Sequence, residues 1–249
     1  MLHFVDANCM IGTRQQIREG SLKNTQEHFS LMDDLGIKKA VVFHSFAKEA
    51  DCRAGNSLLE NETDGYKCFL KQWVVMPNIW GEFIQPEQLI VEMRQKDVRS
   101  VRLFPLSFNH SLKPYASGEL ISILSQHQVP IFIDRDQFTA WENIYDLCQD
   151  YPEAKFILCN TGYNCTRQLV PLMYACHNLY IDTSTLLMHQ SIRDFCSYFG
   201  SQRLIFGSGA PIGSMAAAVS LIRYSDIPVQ DKEQIAYKNI EKLLREATL

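Results

Sequence analysis

The sequence lacks the features that mark membrane, secreted and nucleic-acid-binding proteins. No apolar stretch approaches the roughly 18 residues of a membrane-spanning helix. The amino-terminal residues do not show a charged leader followed by an apolar run, as a secretory signal would. The 24 Lys and Arg residues are outnumbered by 28 Asp and Glu residues, so there is no basic excess for a nucleic-acid backbone. We therefore expect a soluble, cytoplasmic protein with no membrane or nucleic-acid partner.

Paired cysteine spacing is also missing. The eight cysteines are scattered without a CxxC pair, and a chain of 249 residues is large enough to fold without disulfides. We expect reduced thiols. The composition does not change along the chain in a way that would indicate a domain boundary. Because 46% of the residues are hydrophobic, the chain can also bury a large core, and we predict a single domain over residues 1–249.

Short apolar runs alternate with helical patterns along the whole chain, and this alternation is typical of a parallel sheet. The predicted strands are 3–8, 39–44, 73–78, 100–105, 130–134, 155–160, 179–184 and 204–206. The predicted helices are 24–35, 56–70, 86–95, 118–127, 138–148, 167–176, 189–199, one from about 215, and 231–246. Eight such units predict an α/β protein of the (β/α)8 barrel class. An open doubly wound sheet would want a glycine fingerprint after the first strand, and the residues at 8–12, NCMIG, do not provide one.

Polar side chains follow most of the predicted strands. In a barrel these positions converge on one mouth, where a ligand would bind. We predict a pocket for a small anionic or carbonyl-bearing molecule. The candidate binding residues are Asn8, Asn78, Arg102, Asn160 and Ser208, and the candidate catalytic residues are His44, Asp134 and Asp182.

Each candidate also has a structural explanation. A guanidinium at the inward position of Arg102 needs an anion, from the protein or from a ligand. Asp134 is explained equally well as a general acid or base and as an ion-pair partner of Arg102 or Arg135. His44 could be a packing residue or a general base, and strand-end Asn and Ser residues often bond only loop amides.

Seven segments in order, VDANCMIG, VRLFP, PIFID, KFILCNTGY, LYIDTS, RLIFGSGAP and KNIEKLL, resemble the amidohydrolase-related family of barrel hydrolases and decarboxylases. The resemblance spans nearly the whole chain and implies the barrel fold. It also implies where metal ligands would lie. The family's two histidines of the DxHxH motif correspond to Asn8 and Met10, its later histidines to Asp134 and Asn160, and its strand-eight aspartate to Gly209.

These substitutions leave one good ligand, Asp134, where a zinc site wants at least three imidazole, thiolate or carboxylate groups. We therefore expect no metal and no other cofactor, and no metal-activated hydroxide. Residual cation binding through Asp6, Asp134 or Asp182 is left open, as is self-association.

Three functions agree with this sequence. The protein could bind a small molecule without turning it over. It could be a weak metal-independent hydrolase of a carboxylated, lactone or amide substrate, as the resemblance to lactonase-like members of the superfamily implies. The catalytic work would then fall to Asp134, Asp182, Arg102 and His44. It could also be a non-catalytic assembly protein that uses the outer helices of the barrel. An open mouth lined by Arg102 would favour the first two, and a mouth filled by Met10, Phe104 and Tyr163 would favour the third.

Overall fold

The computed structural model describes residues 2–16, 22 and 24–249. Its sheet contains eight parallel strands in the order of the chain, each paired with the next. The strands are β1 (Phe4–Ile11), β2 (Ile37–His44), β3 (Phe69–Val74), β4 (Ser100–Leu103), β5 (Ile131–Asp134), β6 (Phe156–Cys159), β7 (Leu179–Asp182) and β8 (Leu204–Ile205).

Backbone hydrogen bonds between the ends of the sheet complete the barrel. The Ala7 N–H donates to the carbonyl of Phe206 (2.9 Å), Gly209 N–H to that of Asn8 (2.9 Å), and Met10 N–H to that of Ala210 (2.8 Å). The segment after β8 therefore continues along β1. The prediction of an α/β protein with a (β/α)8 barrel is confirmed.

Helices connect the strands and surround them. They are α1 (Thr25–Leu35), α2 (Ser45–Glu49), α3 (Cys52–Thr63), α4 (Pro86–Gln95), α5 (Pro114–Gln126), α6 (Glu142–Asp150), α7 (Thr166–Ala175), α8 (Ser191–Phe199), α9 (Met215–Arg223), α10 (Val229–Glu233) and α11 (Asn239–Glu246). In the described part of the chain, no helix has both the length and the apolar character needed to cross a bilayer. All eight cysteines are free, in agreement with their spacing.

The last helix packs against the end of the barrel opposite the polar strand ends. The Asn239 side chain donates to the carbonyl of Leu204, where β8 begins (2.6 Å). Ile240 and Leu243 share an apolar cluster with Phe132 and Ile157 of the neighbouring strands. Burying this cluster fills the amino-terminal side of the barrel, so the carboxyl ends of the strands are left to form the candidate site.

Three predicted elements differ in the structure. The strand predicted for 73–78 is β3, Phe69–Val74, so Asn78 lies in the loop after it and not at a strand end. The helix predicted for 56–70 ends at Thr63, and Phe69 and Leu70 begin β3 by pairing with Ala40 and Val41. The reversal occurs at Gly65, whose φ of 81° favours glycine. The helix predicted for 231–246 is interrupted by a π-helical segment at 234–238 between α10 and α11. The spacing of apolar residues does not reveal the π-helical segment, because the same spacing continues from α10 through this segment into α11.

Candidate active site

Side chains from β1, β4 and β5 meet a loop residue after β6 in a closed ring of hydrogen bonds. Arg102 Nη1 donates to Asn8 Oδ1 (3.0 Å), and Asn8 Nδ2 donates to Asn160 Oδ1 (3.2 Å). Asn160 Nδ2 donates to Asp134 Oδ1 (2.9 Å), which also accepts a hydrogen bond from Arg102 Nη2 within an ion pair. We call Asn8, Arg102, Asp134 and Asn160 the central ring. Each amide nitrogen in it donates to an acceptor and each amide oxygen accepts a hydrogen bond, so the orientation of both amides is fixed. The buried Nε of Arg102 has no hydrogen-bond partner in the described part of the chain.

The local backbone brings the two asparagines into this ring. The pairing of β1 with β2 is irregular between Asp6 and Cys9, and the bulge aims Asn8 at Arg102. Asn160 follows β6 directly and has a φ of 53°, a left-handed conformation that asparagine tolerates better than most residues. Its backbone N–H donates to Asp182 Oδ1 (3.1 Å), which holds the turn in place.

The guanidinium of Arg102 is fully enclosed. Its side chain is 0% exposed, and its central carbon lies 4.5 Å from the ring centre of Phe43 and 5.7 Å from that of Phe104. Burial acts to lower the pKa of Arg102, but the charge of Asp134 outweighs it and raises this pKa above its ordinary value. Arg102 is therefore a permanent cation that faces protein atoms and aromatic rings instead of water.

Asp134 is the counterion of two cations. Besides Arg102, Lys48 of α2 places its Nζ 3.5 Å from Asp134 Oδ2. Burial opposes ionisation, but the charges of Arg102 and Lys48 outweigh it and lower the pKa of Asp134. Its carboxylate is thus ionised and already bound on both oxygens.

Two further carboxyl groups lie beside the ring. Asp182 accepts a hydrogen bond from Asn8 Nδ2 (2.7 Å), and Asp6 accepts hydrogen bonds from the backbone N–H and the hydroxyl of Ser208. Burial raises the pKa of each to about 6, and the negative charge of Asp182 contributes to the shift of Asp6. Each of these two carboxyl groups is therefore protonated more readily than an exposed aspartate.

The structure brings five of the eight predicted site residues together, namely Asn8, Arg102, Asp134, Asn160 and Asp182. Ser208 is near them but bonds to Asp6. His44 bonds elsewhere: its Nδ1 accepts the N–H of Phe46 at the start of α2 (3.0 Å), and its Nε2 lies 3.2 Å from Glu62. Asn78 accepts the N–H of Phe83 (3.4 Å) within its own loop. The catalytic and binding roles assigned to these residues remain predictions.

Side chains fill the centre of the mouth. Met10 is 4% exposed and Phe104 is 0% exposed, whereas Tyr163 is 68% exposed and does not contribute to the filling. Lys48 was not predicted from the sequence, because the short helix that carries it follows β2 without a break in composition. Its only signal is its position four residues after a strand-end histidine.

The amidohydrolase family model matches residues 22–245. The chain belongs to the amidohydrolase family. Among solved structures it is similar to a TIM-barrel protein of Bordetella bronchiseptica described only as uncharacterized, with 15% identity, a TM-score of 0.78 and 99% of each chain covered. It is also similar to a 2,6-dihydroxybenzoate decarboxylase from Rhizobium, with 14% identity, a TM-score of 0.79, and 98% of this chain and 99% of that one covered.

A third similar structure is a 5-carboxyvanillate decarboxylase from Novosphingobium aromaticivorans, complexed with manganese and a nitrobenzoic acid. It shares 13% identity and has a TM-score of 0.77, with 98% of this chain and 96% of that chain covered. At these identities the likeness establishes the fold. No curated protein sequence matches the chain.

The manganese in that relative raises the question of whether the central ring fits a metal ion. Within residues 2–16, 22 and 24–249, no three His, Cys, Asp or Glu side chains are grouped so that they could hold one. The oxygens of Asn8 and Asn160 already accept hydrogen bonds inside the ring, and Asp134 pairs with Arg102. A second cation would meet the fixed positive charge of Arg102 at close range. The donor set therefore does not fit a divalent metal.

Proposed function

We propose that this member of the amidohydrolase family works without a metal and binds a small anionic molecule without hydrolysing it. The central ring carries the absence of a metal, because the guanidinium of Arg102 stands among the side chains that the family resemblance assigns to metal ligands. Arg102 is itself enclosed, so an anion would bind beside the ring, where the Lys48 side chain is 25% exposed. Hydrolysis in metal-dependent relatives needs an activated water. Here Asp134, the best candidate for a general base, has both oxygens bound to cations.

Similar structures support the choice of an anionic ligand. The Rhizobium protein is named for its action on a dihydroxybenzoate, and the Novosphingobium structure contains a nitrobenzoic acid. Both molecules carry a carboxylate. We infer that the ligand of this chain belongs to the same chemical class, whereas the reaction has not been kept.

A turnover assay tests the absence of hydrolysis and decarboxylation. Purified protein would be incubated with 2,6-dihydroxybenzoate, with a lactone and with an aryl ester, each with and without Mn²⁺. We expect no product above the buffer rate in any case. Turnover that falls in Asp134→Asn but not in Asp136→Asn, an exposed carboxylate two residues away, would contradict the proposal and support a metal-independent hydrolase.

A second function, as an assembly protein, is favoured by the filled centre of the mouth and by an aromatic cluster on the outer helices. Tyr174 of α7 contacts Phe199 of α8 with ring centres 4.7 Å apart, and Tyr198 lies 6.2 Å from the same ring. Tyr174 and Tyr198 are 57% and 59% exposed. Exposed aromatic side chains of this kind are enriched at protein interfaces, so this face of the barrel is the one that would associate.

A further inference from the structure

A cavity of about 470 Å³ lies at the carboxyl-terminal mouth of the barrel, beside the closed centre. It is bounded by the segment after β1, by α2 and by the segment after β4. Its volume falls in the range of small-molecule sites. Arg102 is enclosed beneath Phe43 and Phe104, whereas this cavity is open to a ligand.

Among the described residues that line this cavity, two are cations and one is a carboxylate. Lys48 is one cation; its side chain is 25% exposed, and the carboxylate beneath it, Asp134, is shared with Arg102. Arg14 is the other. The carboxylate is that of Glu49, which accepts the N–H of Gln15 (2.8 Å). The described residues of the lining therefore carry a net charge of one positive unit, from Arg14 and Lys48 less Glu49, and suit a monoanion.

Arg14 has an unsatisfied donor. Its Nε is buried and has no hydrogen-bond partner in the described part of the chain. A ligand cannot reach this enclosed atom, but the Arg14 side chain as a whole is partly exposed and lines the cavity, so its guanidinium supplies positive charge there. The planar guanidinium of arginine matches a carboxylate in a two-point contact. Phe108 and Ala50 add apolar surface to the same cavity.

We propose that this cavity binds the carboxylate of a small molecule between Arg14 and Lys48, with the apolar body of the molecule against Phe108. The inference rests on the proposed function for the ligand's chemical class, and it adds the site. It differs from the site predicted around Arg102, because Arg102 has no exposed surface.

Calorimetric titration of the full chain with benzoate tests the site, with benzyl alcohol as the uncharged control ligand and inorganic phosphate as the alternative anion. We expect benzoate to bind, benzyl alcohol not to bind, and phosphate to bind more weakly. Arg14→Gln and Lys48→Met should each weaken benzoate binding about tenfold, because each removes a charge-assisted contact. Arg99→Gln and Lys38→Met, at the opposite end of the barrel, are the matched controls and should bind as the wild type does.

The outcomes separate the site from the function. Benzoate binding that neither Arg14→Gln nor Lys48→Met weakens would overturn this site and leave the proposed binding function standing. Tighter binding of phosphate than of benzoate would overturn the assignment of a carboxylate. Failure of the wild type to bind either anion would overturn the site, and the turnover assay above would still test the absence of hydrolysis independently. Because Lys48 also contacts Asp134, Arg14→Gln, whose side chain is outside the central ring, keeps the test decisive if Lys48→Met unfolds.

Discussion

The side-chain nitrogen of Asn160 lies 2.9 Å from Oδ1 of Asp134, so two positions that the family resemblance predicts as metal-ligand positions bind each other. In a metal site such side chains would direct their lone pairs at a common ion. Here the amide donates and the carboxylate accepts, and Arg102 supplies the positive charge. The side chains at the centre of the barrel therefore converge on one another and not on an ion.

Removing the guanidinium should strongly destabilise the protein. Arg102→Met leaves Asp134 buried with only Lys48 as a cation, and leaves the oxygen of Asn8 without its donor. Breaking a buried pair in this way costs about 3–5 kcal/mol. The measurement is the free energy of unfolding in urea.

The control for that substitution is Arg99→Met. Arg99 pairs with Asp97 on the surface, and its side chain is 47% exposed. Exposed pairs contribute about 1 kcal/mol or less. If Arg102→Met and Arg99→Met lowered the free energy of unfolding by the same amount, the central ring would contribute no more to stability than a surface ion pair.

Asp182 should make stability depend on pH between 5 and 7. Burial raises its pKa to about 6 from an ordinary 3.8, so the folded state holds a proton that the unfolded state has released over this range. Its contribution to stability therefore increases as the pH falls from 7 to 5, by at most about 1.4 kcal/mol per pH unit. His28 acts in the opposite direction, because burial lowers its pKa to about 4.

The comparison of wild type with Asp182→Asn isolates this effect from that of His28. The wild type should gain stability relative to the variant when the pH changes from 7 to 5, as measured by urea unfolding at both values. Asp97→Asn, at an exposed position, should show a constant difference. A gap between wild type and Asp182→Asn that does not change with pH would rule out the titration of Asp182 in this range.

Gly207 is required by close packing against the ring. A Cβ at this position would lie 2.6 Å from Asp182 Oδ2 and 3.0 Å from the Cβ of Asn8. Gly207→Ala should therefore cost about 1–3 kcal/mol of stability through overpacking. The matched change Gly118→Ala in α5, where the nearest heavy atom is 3.8 Å away, should instead stabilise by about 0.5–1 kcal/mol. Thermal unfolding of the two variants should shift in opposite directions.

The exposed aromatic cluster on α7 and α8 makes a separate prediction about assembly. If this face associates, the wild type should elute as an oligomer whose mass falls to that of a monomer in Tyr174→Glu. Tyr115→Glu, at another highly exposed tyrosine, should leave the mass unchanged. Light scattering after size exclusion measures both. A wild type that elutes as a monomer would rule out the proposed assembly function.

Much of this fold could be predicted from the sequence, since barrel strands are buried on both faces and appear as short apolar runs. The chemical type of the Arg102 partner could also be predicted, because a buried guanidinium requires an anion. Both predictions rest on burial, which apolar neighbours such as Leu103 and Phe104 reveal.

The side-chain directions at the strand ends could not be predicted in the same way. His44 follows an apolar strand as Asp134 does, but the chain turns into α2 immediately after it, and its ring bonds the N–H of Phe46 instead of facing the centre. The same unrecognised helix carries Lys48 to Asp134. The bulge in β1 that aims Asn8 at Arg102 likewise depends on pairing with β2, which no local pattern specifies.

Metal analysis of the purified protein tests the central claim most directly. The wild-type chain would be incubated with Mn²⁺ or Zn²⁺, dialysed, and measured by elemental mass spectrometry. We predict a metal content well below one equivalent, and no change in Asp134→Ala or Asn160→Ala. One equivalent of metal per chain that is lost in both variants would contradict it, and would mean that the central ring opens to hold an ion.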